Sequence, residues 1–377
     1  MSIQAALHRC LQKMRTCVEP SLREIESGSG SNAREYSTRK NIGRTKIVHN
    51  KGLMTQTHIS LGKWRGLQQC ATQRGALVTM AIDQRNNLRQ SLRPDAPDAV
   101  TPAEMVAFKT EVVSVLSQVA PSVLMDPEVG AAQCVAAGAL SGQNGLMIAV
   151  EATGYAGNAT ERESRLLPNW GVDKARRMGA SAIKLLVYYH PEAPNARAME
   201  TFVKQVVDDC LAHDIAFFLE PLSYSPDSAK KNLTSEEKRR VVIASARNLV
   251  VPGVDVVKAE FPLDIKEQTD ERIWAEACAE LSAACSVPWV LLSAGVNYET
   301  YLRQVVVACQ AGASGVAVGR AVWKEATALT GAARTQFLHT TARSRMSRIT
   351  ELCDALAKPW TEFYAPVAVD EKWYTGY

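Results

Sequence analysis

The sequence predicts an α/β fold closed as a (β/α)8 TIM barrel, and three observations carry that reading. Eight short apolar runs alternate with helix-like stretches between Ala76 and Leu329, a span of about 250 residues, the length eight strand–helix units need. The runs are almost unbroken in apolar residues, the pattern of parallel strands covered on their outer side. A doubly wound open sheet gives a similar alternation, but its first strand normally runs into a glycine-rich turn. Here the first run ends in Asp83-Gln84-Arg85-Asn86-Asn87, without glycine.

Taken in order, the first run is Ala76–Asp83. After a loop rich in Arg and Pro, Thr101 is placed to cap a helix, with Pro102 at its first position and Glu104 completing a capping box. The second run, Ser122–Asp126, leads to a helix expected from Glu128 to Ala137. The third, Gly145–Glu151, is followed by a long polar loop to Leu167 and a short helix ending at Gly179. The fourth, Ala182–Tyr189, precedes a helix over Asn195–His213. The fifth, Ile215–Glu220, passes through a polar loop into a helix with Ser235 as its expected cap. The sixth is Gly253–Pro262, whose β-branched Val254, Val256 and Val257 suit a buried strand. Pro288–Ser293 is the seventh, before a helix over Asn297–Ala311. Gly315–Gly319 is the eighth, followed by Ala321–Leu329 as helix.

The net charge of +4 over 377 residues is unevenly placed. Residues 1–53 hold ten Lys and Arg against four Glu, and the remainder 33 against 35 Asp and Glu. The body therefore offers no electrostatic case for nucleic acid. No apolar run is long enough to cross a bilayer, so no membrane partner is expected. Nine scattered cysteines form no Cys-x-x-Cys pair, which suits reduced, packing thiols in a cytoplasmic protein. Three segments result. Residues 1–53 are a disordered basic leader: a flexible tail, a targeting segment, or sequence upstream of a start at Met54. Residues 54–357 are the barrel. Residues 358–377 are an aromatic tail with Trp360, Phe363, Tyr364, Trp373, Tyr374 and Tyr377. It packs on its own barrel, on a neighbouring subunit of a homo-oligomer, or folds as a flap over the mouth.

In such barrels the working residues stand at the carboxyl ends of the strands. Those ends supply Asp83, Gln84, Asp126, Glu151, Lys184, Glu220, Lys258, Glu260, Ser293 and Arg320. Many strand-end acids only cap the next helix. Asp126, before Pro127, reads as a cap or turn residue, and Glu151 is undecided. Lys184 and Lys258 lie inside the fourth and sixth runs, where desolvating an ammonium is costly. Each has a structural reading, snorkelling or pairing with a carboxylate such as Glu260. The alternative turns both inward, where each disfavours the other's charge and a lowered pKa makes an amine nucleophilic. Glu220 on the intervening strand is then the proton carrier. The Ser293-Ala294-Gly295 turn and Gly319-Arg320 follow the last two strands, where barrels commonly bind phosphate. Six histidines show no metal-ligand spacing, so neither metal nor cofactor is expected.

These residues resemble a known family. Ala81-Ile82-Asp83-Gln84-Arg85, Lys184-Leu185-Leu186-Val187-Tyr188-Tyr189, Phe218-Leu219-Glu220 and Asp255-Val256-Val257-Lys258-Ala259-Glu260 are similar to the class I tagatose-1,6-bisphosphate aldolases. So are Glu151-Ala152-Thr153-Gly154-Tyr155, Ser293-Ala294-Gly295-Val296 and Gly319-Arg320-Ala321. The likeness runs from about Gly75 to Trp360 and is shared in large part by sulfofructose-1-phosphate aldolases. It implies a Schiff base on Lys258, with Glu220 as acid and base and Asp83 assisting. It implies Gln84 and Lys184 along the substrate, and Ser293, Gly295, Gly319 and Arg320 on a phosphate. The expected reaction cleaves a phosphorylated ketose to dihydroxyacetone phosphate and glyceraldehyde 3-phosphate. Cleavage of a sulfosugar phosphate, and sugar-phosphate binding without turnover, are the alternatives.

Overall fold

The computed structural model describes residues 56–377; the leader over 1–53 and the start at Met54 lie outside the described residues. Thr57–Ile59 (β1) precedes a helix over Leu61–Gln69. Then come Leu77–Ala81 (β2), Ser122–Met125 (β3), Gly145–Ala149 (β4), Ala156–Asn158 (β5), Glu161–Glu163 (β6), Ala182–Tyr189 (β7), Ala216–Ser223 (β8), Val256–Ala259 (β9), Trp289–Leu292 (β10), Gly315–Val318 (β11) and Tyr364–Pro366 (β12). Eight of these close a parallel barrel in the order β10-β11-β2-β3-β4-β7-β8-β9. Each corresponds to one apolar run. Strands β2, β3, β4, β9, β10 and β11 are buried at every residue, as inner strands under a coat of helices must be.

Local chemistry sets the helix starts. Thr101 forms the expected capping box with Glu104. In the helix after β8 the cap is Thr234, not Ser235, because Glu237 stands at the third helical position only when counted from Thr234. After β3 the helix is shorter than expected, Ala131–Ala136. The Asp126 carboxylate accepts the amides of Glu128 and Val129 and holds a turn there first. The polar loop before Leu167 contains a hairpin, β5 against β6.

The aromatic tail packs on its own barrel, at the end opposite the mouth. β12 pairs in parallel with β1. Trp360 meets Trp64 edge to face at 4.5 Å. The Tyr364 hydroxyl donates to the Asp255 carbonyl just before β9, and the Tyr377 hydroxyl reaches Asp214 just before β8. Both contacts lie at strand starts, so the tail is not a flap over strand ends. The seven described cysteines are buried and free. Burial pushes the Cys70, Cys278 and Cys285 thiols up to about 12, which makes them packing groups rather than nucleophiles.

Candidate active site

Five barrel strands and the loops that leave them bring five charged groups together. Lys184 points inward from β7, almost wholly buried. Its Nζ stands 2.9 Å from Asp83 Oδ2, 2.6 Å from Glu151 Oε1 and 2.8 Å from Glu220 Oε2. Asp83 and Glu151 each lie two residues beyond a strand, β2 and β4, while Glu220 lies inside β8. Lys258, inside β9, places its Nζ 2.9 Å from the same Glu220 Oε2. Leu219 pairs with Val257, so Glu220 and Lys258 come next, side by side. Lys184 pairs with Phe218, two residues earlier on β8. The two lysines are thus offset in register rather than level, and the long Lys184 side chain closes the gap.

Three carboxylates face two ammonium groups, and this reverses one expectation. Burial pushes the Lys184 amine down, but Asp83, Glu151 and Glu220 outweigh it and hold its pKa well above the ordinary lysine range. Lys184 is therefore a fixed cation, not a second amine primed by its neighbour. Burial likewise pushes Asp83 up, yet Lys184 and then Lys258 outweigh it and hold this carboxyl well below its ordinary 3.8. The Asp83 carboxylate is thus held as its anion against the Lys184 ammonium.

Glu220 is different. Its Oε2 lies at ion-pair distance from both lysines, but neither N–H is aligned on it as a hydrogen bond. A buried carboxylate oxygen with an uncommitted lone pair, in reach of an amine, is placed to move protons. Glu260 is not the partner of Lys258; it accepts from the amide and hydroxyl of Ser223 at 2.7 and 2.6 Å. Glu151, undecided from sequence, belongs to the cluster. Its second oxygen accepts the Leu186 amide, and Arg85 donates to its carbonyl at 2.8 Å while pairing with Glu128. Its signal was the third carboxylate at a strand end.

Gln84 Oε1 is also buried without a hydrogen-bond partner, while its amide nitrogen donates to Asp83 at 3.3 Å. The residues expected to meet an anion stand close by, Gly319 next to Gln84 and Gly295 next to Arg320. Ala294 and Gly295 have φ of 45° and 75°, so the turn after Ser293 curls back on itself. A Cβ on Gly295 would sit 3.1 Å from Arg320 Cζ, and one on Gly319 only 2.6 Å from the Ala81 carbonyl oxygen. Gly319 needs glycine for close approach to backbone, and Gly295 for its positive φ. Burial lowers the Arg320 pKa, against the opposing charges of Asp83 and Glu220. Among the described residues it has no salt-bridge partner. Also among the described residues, no group of three or more His, Cys, Asp and Glu is placed to hold a metal ion; the point where three carboxylates converge is taken by the Lys184 ammonium.

Known proteins resemble this chain over most of its length. The family model described as DeoC/LacD family aldolase matches residues 77–325. Tagatose 1,6-diphosphate aldolase 2 of Streptococcus mutans is 30% identical, over 81% of this chain and 98% of its own. Tagatose 1,6-diphosphate aldolase of Streptococcus pneumoniae is 31% identical, over 78% and 96%. Among solved structures, an archaeal fructose 1,6-bisphosphate aldolase superposes with a TM-score of 0.52 at 19% identity, covering 77% of this chain and 98% of its own. That likeness supports the barrel.

Proposed function

The chain belongs to the DeoC/LacD family of aldolases, and from that premise we propose a Schiff-base cleavage of a 1,6-bisphosphorylated ketose, tagatose 1,6-bisphosphate, at Lys258. The Lys258 amine, having passed a proton to Glu220, adds to the C2 carbonyl and forms a carbinolamine. Glu220 returns a proton to the carbinolamine hydroxyl, which leaves as water, and an iminium remains. Glu220, now deprotonated, takes the proton of the C4 hydroxyl, with Asp83 assisting. The C3–C4 bond breaks, its electron pair flows into the iminium, and glyceraldehyde 3-phosphate departs. The resulting enamine takes a proton at C3. Water then hydrolyses the iminium and releases dihydroxyacetone phosphate and free Lys258. Glu220 is the proton carrier within reach of Lys258. Asp83 keeps Lys184 cationic and in place, and Lys184 and Gln84 meet the substrate hydroxyls. Ser293, Gly295, Gly319 and Arg320 bind the C1 phosphate.

The observation that carries this reading is the Glu220 Oε2 oxygen, shared at 2.8 and 2.9 Å between a lysine held by two further carboxylates and a lysine with no other side-chain partner among the described residues. The names of the relatives favour tagatose bisphosphate over the sulfosugar phosphate. The test is release of dihydroxyacetone phosphate from each ketose. Tagatose 1,6-bisphosphate should be cleaved with at least about a tenfold higher kcat/KM, the weight of one well-made charged contact. Binding of both ketoses with no product from either points instead to a sugar-phosphate-binding regulator.

Buried free thiols suit a cytoplasmic setting, and no described helix is long and apolar enough to cross a membrane. The exposed Trp373, Tyr374 and Tyr377 suit a subunit contact. On that ground we infer a homo-oligomer, checked by mass in solution.

A further inference from the structure

A bisphosphorylated ketose carries a second anion at the end away from C1. Arg320 follows β11, and in the closed strand order β7 lies four strands away, on the opposite wall. There the β5–β6 hairpin is held to the rim. Leu166 bridges to Glu151, and the Tyr188 amide donates to Ser164 Oγ at 3.0 Å. On this hairpin the half-buried Arg162 lies among three tyrosine rings. Its Cζ lies 4.9 Å from the centroid of Tyr155, 5.5 Å from Tyr188 and 4.9 Å from Tyr224. Residues 184, 186 and 188 share one face of β7, so Tyr188 stands over Lys184 on the way to the mouth.

Among the described residues the Arg162 side chain donates one hydrogen bond, from Nε to the Ala159 carbonyl at 3.2 Å. Among the described residues it has no salt-bridge partner, although Glu161 and Glu163 flank it in the chain. Stacking on rings holds a guanidinium through its faces and leaves its terminal N–H groups free at the edge. Among the described residues no hydrogen bond or salt bridge takes up its two terminal nitrogens, while three rings lie within 5.5 Å of its Cζ.

We propose that Arg162, framed by Tyr188 and Tyr224, binds the phosphate at the C6 end of the ketose and so selects bisphosphates over C1 monophosphates. The proposal rests on the ketose-cleavage reading above. The competing role is a structural staple that pins the hairpin to the rim. The two separate on a pair of substrates, tagatose 1,6-bisphosphate and tagatose 1-phosphate. In Arg162→Gln, kcat/KM for the bisphosphate should fall about 30-fold, the weight of a charged bidentate contact, while that for the monophosphate stays within about twofold. Arg162→Lys keeps the charge without the fork and should recover part of the loss. An equal loss on both substrates, or none on either, overturns the subsite and leaves the cleavage reading standing. A wild-type chain that cleaves neither ketose overturns both.

Discussion

One strand presents two buried ions with opposite fates. At the start of β9, Asp255 meets Lys63 at 2.8 Å, each about 5% exposed. Lys63 also donates to the Gly253 carbonyl, and Asp255 also accepts the Phe217 amide at 2.8 Å. The pair is one to one and both ions carry further hydrogen bonds. Near the end of the same strand, Lys258 meets a carboxylate oxygen already shared with Lys184, and no bond there is aligned. Burial and pairing are alike at the two ends. Completeness differs, and it separates an ion that holds the fold from one with capacity left for a substrate.

Substitutions at the two ends should therefore split activity from stability. The largest effect is expected from Lys258→Met, a fall in kcat/KM of at least about 10⁴-fold with little change in the urea midpoint, since the covalent route is lost while Glu220 keeps Lys184. Glu220→Gln should lower kcat by about 10²- to 10⁴-fold, the usual worth of a positioned acid–base group. Lys63→Met should do the reverse. It strands a buried carboxylate and should cost about 3–5 kcal/mol of stability by urea titration, with kcat per folded molecule unchanged. A Lys63 variant that folds well but is inactive would erase the contrast.

The ion clusters at the two ends, the Lys63 pair and the Lys184–Lys258 cluster, also differ in the sign of their response to acid. Asp83 is held below its ordinary 3.8 by Lys184 and Lys258, which outweigh burial. Its contribution to stability is complete above 3.8 and is lost as pH falls through the lower folded value. Asp255 is pushed above 3.8, because burial outweighs Lys63. Its folded form takes up a proton before the unfolded chain does, so acidification through that window favours the fold at this site. Carboxyl carbon-13 titration should find Asp255 protonating at higher pH than Asp83; the opposite order would contradict the account. Smallest of all, Thr234→Ala removes only a cap, at about 1 kcal/mol, and should leave kcat unchanged.

Much of this was legible in the chain. Continuous apolar runs located all eight barrel strands, because parallel strands buried on both faces admit few polar residues. Lys184, Glu220 and Lys258 stood out as the charges that broke those runs. The state of Lys184 was not legible. It depends on how many carboxylates converge on one nitrogen, and Glu151 joins Asp83 and Glu220 only once the barrel closes. Asp126 was read correctly as a turn residue, but its buried pairing with Lys109 links a strand end to a helix and leaves no local pattern. The tail's aromatics announced that they pack without saying at which end. Arg162 gave no signal at all, since a short polar hairpin lacks the periodicity that marks an element.

Everything turns on which nitrogen bonds to sugar carbon. Borohydride added to the protein during turnover of tagatose 1,6-bisphosphate, followed by peptide mass mapping, reads this directly. Activity should be lost in step with a single reduced adduct on Lys258 and none on Lys184. An adduct mapped to Lys184, or full activity lost or kept with Lys258 unmodified, would contradict the assignment.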